Sequence, residues 1–594
     1  MDYWVAKYFY IIILKLFNMY LKEFGIKNFR SIKNMDITLN KKLNIFIGPN
    51  NSGKTTIIDA LYFCFHYKDY NRSKRISLND FYKGVNSDKN VEDIEFSLKF
   101  EIQQDFEIAV FLDLYNPEDN SLDLYFKFHY NEKLNKIQSF YYGGANKDNP
   151  VHSEIFDSIF NIYLGPLRDA ERYLTSGKPN IIGKLFSKVV SDEKKEEWMD
   201  ELNKNIDGSK LSKFIKNYNN EHIQNYLNEL IFNDDEMDLS MLPMEQDFDK
   251  FTQYWNIKIP FSSENNNSYL DLSQNGLGYN NLIYISVLLS YLDVLGRKEE
   301  TRYISLFIEE PEAHLHPQLQ NLFLSYMNKL NDDNNIQIFI TTHSPTLTSK
   351  ADLNDLILVQ NKNNEVICSN LRKLFNKENT IFLKKFLDVT KSQLLFSKKI
   401  IFVEGITESI LVPLFAEKYC DFNLDENGVE VVNVNGINFK NFIPLFKKSN
   451  NLNYVGVILT DKDEENIGGP PSKTYTNLKD ILENSNVEYN LKIFGSNKTF
   501  EYDLITTNDF NPIIWNVFKN KHPGIFKIEK NNESLFKVFK DNHKISKADI
   551  ALKLYDVLKE SNDIIEIPSY IKGGIDFLKG VNNGCMDERP KENL

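Results

Sequence analysis

Hydrophobic and polar residues along the chain fall into three successive patterns. From Tyr20 to about Tyr130, short alternating runs surround one helix. The stretch KLNIFIGPNNSGKTTIIDALYFCF (Lys42–Phe65) reads as a buried strand, a glycine-rich loop and a helix. EDIEFSLKFEI, FEIAVFLDLY and SLDLYFKFHY alternate apolar and polar side chains, which predicts three antiparallel strands. From about Gly183 to Lys250 the chain turns rich in Lys, Glu, Asn and Leu, and predicts helices. It is too short for a very long coiled coil, though a shorter dimerisation or docking arm fits. From about Tyr269 an α/β pattern returns, with strands at ISLFIEE and IQIFITTH and a helix beginning near Pro317. Next, KKIIFVEG, VEVVNVNG and YVGVILTDKD predict strands separated by helices, the alternation of a compact parallel sheet. The tail predicts mostly helix.

The chain has 594 residues, 42% hydrophobic and 26% charged, which suits several globular domains. A formal net charge of -13 argues against a protein that coats nucleic acid with a basic surface. Contact with phosphates would then be local, through Lys/Arg patches or bound cations. Cys64, Cys368, Cys420 and Cys585 include no close pair, so neither a disulfide framework nor a zinc ribbon is expected. A reducing, cytoplasmic compartment fits best. Residues 3–21 are apolar and aromatic, but Lys7 and Lys15 interrupt them, leaving no uncharged run near the roughly 20 residues of a membrane span. Residues 1–18 therefore read as an extension or a mis-assigned start rather than an anchor, with Met19 the alternative first residue.

Three motifs carry chemistry in the first two-thirds of the chain. Gly48-Pro49-Asn50-Asn51-Ser52-Gly53-Lys54-Thr55 fits G-x-x-x-x-G-K-[ST], and Thr56 continues it. Backbone N–H groups curl around phosphates, Lys54 reaches the β/γ-phosphates and Thr55 holds Mg²⁺. An incidental glycine-rich turn is the bland alternative, made less attractive by the flanking strand and helix. The run Ile304–Ile308 ends in Glu309-Glu310, where the first acid would hold the metal's hydration shell and the second polarise the attacking water. His343, closing the following strand, would sense the γ-phosphate. Taken alone, a strand-end histidine is usually structural. Ser273 and Gly276, in LSQNGLG ahead of an apolar helix, form an anion site that resembles a degenerate ABC signature. In that superfamily the signature caps ATP bound by a partner protomer, which implies a dimeric ATPase. Otherwise it is a simple N-capped helix. Asp80 stands roughly where that superfamily places a loop contacting the metal.

The last third carries a second set. Val403 ends a strand at Glu404-Gly405, with Glu408 on the next helix, and a later strand ends at Asp461-Lys462-Asp463. Carboxylates at the ends of neighbouring parallel strands converge on one crevice. Gathered there they need cations, and oxygen-ligated Mg²⁺ or Mn²⁺ is the expected resident. Two such ions would orient a nucleophile and stabilise a leaving oxygen in phosphodiester cleavage. Exposed strand-end acids are the alternative. This pattern resembles the Toprim fold. Glu501 and Asp503 form a further acidic pair suited to a second metal, with surface residues as the alternative. Lys547, with Lys544 as its rival, could neutralise developing phosphorane charge or be a solvated helix lysine.

FGIKNFRSI (Phe24–Ile32), GPNNSGKTT (Gly48–Thr56), YLGPLRDAER (Tyr163–Arg172), IEEPEAHLHPQ (Ile308–Gln318), TTHSP (Thr341–Pro345), VEGITE (Val403–Glu408), TDKD (Thr460–Asp463), FEYDL (Phe500–Leu504) and KADIA (Lys547–Ala551) together resemble the OLD (overcoming lysogenization defect) family of ATP-dependent endonucleases. The resemblance spans nearly the whole chain after Met19. It implies an α/β protein: an ABC-type P-loop ATPase (19–182 and 265–390) interrupted by a helical, dimerising insertion (183–264), then a Toprim nuclease domain with a helical tail (391–594). It also implies metal-dependent cutting of DNA, ATP with one Mg²⁺, two Mg²⁺ or Mn²⁺ ions in the Toprim site, a homodimer or higher homo-oligomer, and a role in phage defence. Relatives include the nuclease subunit of the Gabija system and effectors of certain retrons, so a helicase or a reverse transcriptase with its msDNA is an expected operon partner. By the same resemblance Arg168 lies near the nucleotide or the dimer interface. The alternative function is an ATP-binding switch whose Toprim module docks or senses without cutting.

Overall fold

In the computed structural model the described residues are 19–66, 75–82, 91–145, 149–165, 174, 181–224, 247–252, 254–260, 269–297, 303–313, 315–333, 336–540, 545–561 and 565–584. The expected extension 1–18, Arg168 and Lys544 lie outside them. Two parallel sheets and one antiparallel sheet organise the rest. No helix among the described residues is long and apolar enough to cross a membrane.

The first parallel sheet runs in the order Glu365–Asn370, Leu356–Lys362, Leu43–Ile47, Ile336–Thr342, Tyr303–Glu309, Ile159–Leu164. All neighbours are parallel except the outer hairpin of Leu356–Lys362 with Glu365–Asn370. Its central strands are buried on both faces, as their unbroken apolar sequence requires. This places the phosphate-loop strand beside the strand that ends at Thr342, which itself lies beside the strand that ends at Glu309.

The antiparallel sheet is built on Ile32–Thr38, Tyr20–Phe29, Ile94–Glu101, Ser121–Asn131 and Lys136–Gly143. Ile94–Glu101 buries every second residue, as an alternating strand does when one face meets a core. The segment FEIAVFLDLY does not join as a strand; it forms the helix Asp105–Val110 and a 3₁₀ turn, Leu112–Leu114. Glu107 overrides the alternation. It is fully buried, and its carboxylate accepts the backbone N–H groups of Met19, Gln103 and Gln104, capping the helix start.

Gln337 ties the antiparallel sheet to the first parallel one. Its Oε1 accepts from Leu21 N–H (2.9 Å) and the Tyr303 hydroxyl (2.7 Å), and its Nε2 donates to the carbonyls of Leu21 (2.8 Å) and Asn40 (2.7 Å). A buried amide with both ends satisfied in this way costs little and fixes register.

Between the strands Ile159–Leu164 and Tyr303–Glu309, the described part of the insertion comprises the helices Ile181–Val189, Asp192–Asp207 and Lys210–Tyr218. A small hairpin of Lys258–Pro260 with Tyr269–Asp271 precedes the long helix Leu277–Arg297.

The second parallel sheet runs Val429–Asn433, Lys399–Val403, Val455–Asp461, Leu491–Ser496. The expected helix between the strands at Val429 and Val455 is instead three short 3₁₀ turns, Asn438–Asn441, Ile443–Phe446 and Lys448–Asn450. Pro444 and buried Phe439, Phe442 and Phe446 leave no continuous helical face there. The tail packs as helices Phe500–Thr507, Pro512–Lys521, Asn532–Lys540, Lys547–Glu560 and Ser569–Gly584.

The two parallel sheets share one core. Ile45, Ile308, Ile340 and Leu358 of the first belong to the same buried cluster as Leu395, Ile400, Phe402 and Ile458 around the second. Polar contacts reinforce the seam: Asn453 N–H donates to Gln360 Oε1 (2.9 Å), and Asn453 Nδ2 to the Asn361 carbonyl (3.0 Å).

Gln337→Leu strands the Leu21 and Asn40 backbone groups in the interior. The expected result is a loss of about 1–3 kcal/mol for each buried group left unpaired, read as a lower urea midpoint with an unchanged slope. An unchanged midpoint would show that the amide is dispensable.

Candidate functional site

The first site forms where the strand Leu43–Ile47 meets the helix Lys54–Phe65. Gly53 caps the helix at φ 103°, and a Cβ there would lie 2.5 Å from Val366 Cγ2. A Cβ on Gly48 would lie 2.1 Å from the Val359 carbonyl oxygen, so the loop's path requires glycine at both ends. Lys54 is buried and donates to the carbonyls of Gly48 (2.8 Å) and Pro49 (2.9 Å), folding back over its own loop. Burial pushes its ammonium below the ordinary lysine range, while Glu310 and Glu312 pull it back. The Ser52 hydroxyl is buried with no partner among the described residues. Asn50, Asn51 and Thr55 face solvent, with Thr56 half-buried behind them.

Glu309 and Glu310 behave differently. Glu309 is buried and accepts the Tyr163 hydroxyl at 2.8 Å. Glu310 follows at φ 45° and lies 3.7 Å from His343 Nδ1. A residue unassigned from sequence, Glu312, organises this corner: its Oε1 accepts the Thr342 hydroxyl and the His343 N–H, both at 2.8 Å. Its other oxygen is a buried acceptor without a partner among the described residues. The signal was its place three residues after Glu309. Ser273 and Gly276 lie exposed, in and after a 3₁₀ turn. Asp80 is taken up by Arg30 (2.7 Å) and Ser77, which makes it a structural anion.

The second site lies at the carboxyl ends of Lys399–Val403 and Val455–Asp461, as expected for an open parallel sheet. Glu404 Oε2 accepts the Thr460 hydroxyl (2.8 Å) and the Asp461 N–H (3.1 Å). Asp461 Oδ1 accepts the Ser496 hydroxyl (2.8 Å) from the neighbouring strand. Glu408 is buried on the first turn of the helix Ile406–Cys420. Glu501 comes from the first turn of Phe500–Thr507; its Oε1 accepts the Thr407 hydroxyl (3.2 Å), and its Oε2 is buried and unpartnered among the described residues. Lys547, first residue of its helix and half-exposed, lies 3.7 Å from Glu501 Oε1.

The charges act on one another. Burial, then Glu501 and Glu404, push Glu408 up to about 7. Burial together with Glu408, Glu404 and Glu501 holds Asp461 well above the usual carboxylate range. Burial opposes charge on Lys547, but Glu501, Asp461, Glu408 and Glu404 outweigh it and hold the ammonium above its ordinary value. Four carboxylates thus share one lysine. Among the described residues no three of them close into a ready coordination shell; Glu404, Asp461 and Glu501 are each held by a separate donor.

Two expected members are not drawn in. Asp463 is exposed at φ 50°, past the strand end. Asp503 shares a helix with Glu501 at a two-residue spacing, which puts the side chains on different faces. It accepts the Asn497 N–H (2.9 Å), and burial pushes it up to about 6 against the Asn497 and Lys498 amides and the Lys462 charge. Its other oxygen, like Glu501 Oε2, is buried without a partner among the described residues, so the two acids of the expected pair differ in their neighbours and not in burial.

The sequence matches a family model described as an AAA ATPase domain over residues 19–164 and 147–348. It matches a second, the overcoming lysogenization defect protein-like TOPRIM domain, over residues 395–463. The chain belongs to the OLD family. Among curated relatives, an endonuclease GajA of Bacillus cereus (strain HuB5-5) is 25% identical over 94% of this chain and 87% of its own length. An Old nuclease of Escherichia phage P2 is 26% identical over 75% of this chain and 77% of its own. An OLD nuclease of Thermus scotoductus is 25% identical over 66% and 72%. As an OLD-family member the chain joins an ATPase fold to a TOPRIM fold, and the two sites above fall one in each.

Because Glu408 titrates higher in the folded protein than its ordinary 4.5, the native state binds more protons than the unfolded chain between about pH 4.5 and about pH 7. Stability without added cations is therefore expected to fall as pH rises through that window. Glu408→Gln should flatten the fall, measured by thermal unfolding in EDTA at a series of pH values. An identical slope in the variant would remove Glu408 from the cluster.

Proposed function

We propose that this OLD-family protein is an ATP-regulated, divalent-metal-dependent DNA endonuclease acting in phage defence. The observation that carries the reading is the sharing of one lysine by Glu404, Glu408, Asp461 and Glu501 at the edge of a parallel sheet. Like charges gathered in a poorly solvated crevice either stay protonated or take a cation. The donor set is all oxygen, and the buried, unpartnered Oε2 of Glu501 is the kind of atom a hard cation satisfies, so the residues fit Mg²⁺ or Mn²⁺. Glu404, Glu408, Asp461 and Glu501 would hold it, with Asp463 an exposed carboxylate two residues beyond Asp461. Bound there, divalent ions supply an activated water and stabilise the leaving oxygen of a phosphodiester. Lys547 adds a fixed positive charge beside the phosphate, and Thr460, Thr407 and Ser496 hold the carboxylates in orientation. Asp503 supports the loop at Asn497 instead. The relatives are an endonuclease and two nucleases, which agrees with this chemistry.

At the other site, Lys54, with Asn50, Asn51, Ser52, Gly53, Thr55 and Thr56, would cradle ATP and its Mg²⁺. Glu309 would hold the metal's waters, Glu310 would polarise the attacking water and His343 would face the γ-phosphate. Exposed Ser273 and Gly276 suit a signature that meets ATP on a second copy, with the helical insertion as a dimer contact.

Glu404→Gln and Asp461→Asn should each lower plasmid nicking in Mg²⁺ or Mn²⁺ by about 100-fold or more, the scale expected when a metal site is disabled. Both should keep the parent's circular dichroism. Parent protein that leaves plasmid, linear and single-stranded DNA intact, with and without ATP, overturns the reading. Full phage protection by the two variants would favour a docking role over cutting.

Lys54→Ala should remove the response of cleavage to millimolar ATP. Faster cutting by that variant than by the parent in ATP would identify the nucleotide as a restraint, and slower cutting as an activator. Parent and variant responding alike would disconnect this loop from the nuclease.

A further inference from the structure

Tyr570 has no counterpart in the chemistry assigned above. It is the second residue of the helix Ser569–Gly584, is only 5% exposed, and its hydroxyl is buried without a hydrogen-bond partner among the described residues. A buried phenol normally finds an acceptor, and leaving it unpaired costs free energy. Its surroundings are rich in acceptors: Glu408, Asp461, Asp503 and Glu501 all act on it electrostatically, and burial followed by those four charges holds the phenol protonated far above neutrality. Packing agrees. Gly574 lies against the sheet so closely that a Cβ would be 2.9 Å from Leu459 Cδ2. Tyr570 is four residues earlier, about 6 Å along a helix. Asp461 is two residues beyond Leu459, about 7 Å along a strand. The helix thus carries the hydroxyl to the carboxylate end of the sheet.

Glu408 has the complementary deficiency. It is buried, and among the described residues its carboxylate takes only a backbone N–H and no side-chain donor, whereas Glu404 has Thr460, Asp461 has Ser496 and Glu501 has Thr407. Lys547 lies against Glu501 and supplies the cluster's positive charge. A neutral donor is what Glu408 lacks, and a phenol is a suitable one because it orients a carboxylate without cancelling the charge a cation needs.

We propose that Tyr570 is a positioning residue of the carboxylate site, whose hydroxyl donates to Glu408, directly or through one buried water, when the cluster's charge has been neutralised. This rests on the endonuclease reading, since neutralisation is assigned to a divalent cation. In the cation-free protein the hydroxyl is held in reserve, at a cost to stability.

The test is a double-mutant cycle of Tyr570→Phe and Glu408→Gln in the full-length chain, read by calorimetric Mn²⁺ titration and by melting in EDTA. Phenylalanine keeps the ring and its packing. Tyr570→Phe is expected to weaken Mn²⁺ binding by about 10-fold. In EDTA its melting temperature should be equal to or above that of the parent, because an unpaired buried hydroxyl has gone. In the Glu408→Gln background the same change should weaken Mn²⁺ binding no further. Nicking measured alongside should show the deficit of Tyr570→Phe shrinking as Mn²⁺ is raised. Additive effects on affinity overturn the assignment to Glu408. A lowered EDTA melting temperature with unchanged affinity shows a purely structural hydroxyl, and overturns it too. Parent protein that binds Mn²⁺ and cuts DNA while Tyr570→Phe matches it in every readout sinks the tyrosine alone. Parent protein that binds no Mn²⁺ sinks both this proposal and the endonuclease reading.

Discussion

Mutual repulsion among buried and half-buried carboxylates is the constraint around which the back half of the molecule is arranged. Glu404, Glu408, Asp461 and Glu501 would separate in a pliable protein. They are kept near one another because each sits at the end of an element with no freedom to retreat. Glu404 and Asp461 end adjacent strands in which Val403 and Leu459, one and two residues earlier, are fully buried register partners. Glu408 and Glu501 occupy first helical turns, fixed by the cores beneath them. Hydroxyls of Thr460, Thr407 and Ser496 take up part of the strain. Packing forces acids together, and the acids then require a counter-charge that the chain itself supplies only in part.

The same packing connects this cluster to the phosphate loop. A single hydrophobic core lies under both parallel sheets, and the strand Leu356–Lys362 belongs to the first while its end is gripped by the second. Gly48 approaches the carbonyl of Val359, and the next residue, Gln360, holds the amide of Asn453. Two residues further on begins the strand that ends in Asp461. Nucleotide and carboxylate sites are therefore separated by one strand, one side-chain bond and a second strand, all buried or half-buried.

Much of this was legible in the residues, for reasons that can be named. The strand Leu43–Ile47, its glycine loop and Lys54 form a local motif whose geometry is dictated within a few residues. Glu404 and Asp461 were visible because β-branched runs deliver their ends to the same edge. Long-range satisfaction of polar groups was not visible. Glu107 overrode an alternating pattern because it caps a turn and binds Met19, 88 residues away. Asp503 reads as the partner of Glu501 from sequence proximity, and the helix gives the two different hydrogen-bond donors. Glu312 was visible only as a further acid after Glu309 and Glu310, without a role until Thr342 and His343 close on it, and Tyr570 has no local signature at all.

The shared core bears on how such a chain can be taken apart. A cut near residue 390, where the sequence suggests a join between an ATPase and a nuclease, would part Phe382 and Phe386 from Phe442, whose ring they pack against, and would divide the cluster that holds Leu358 and Ile400 alike. Neither piece would carry a complete interior, and chimeras spliced there would inherit two halves shaped for different partners. Each half helps to close the interior of the other.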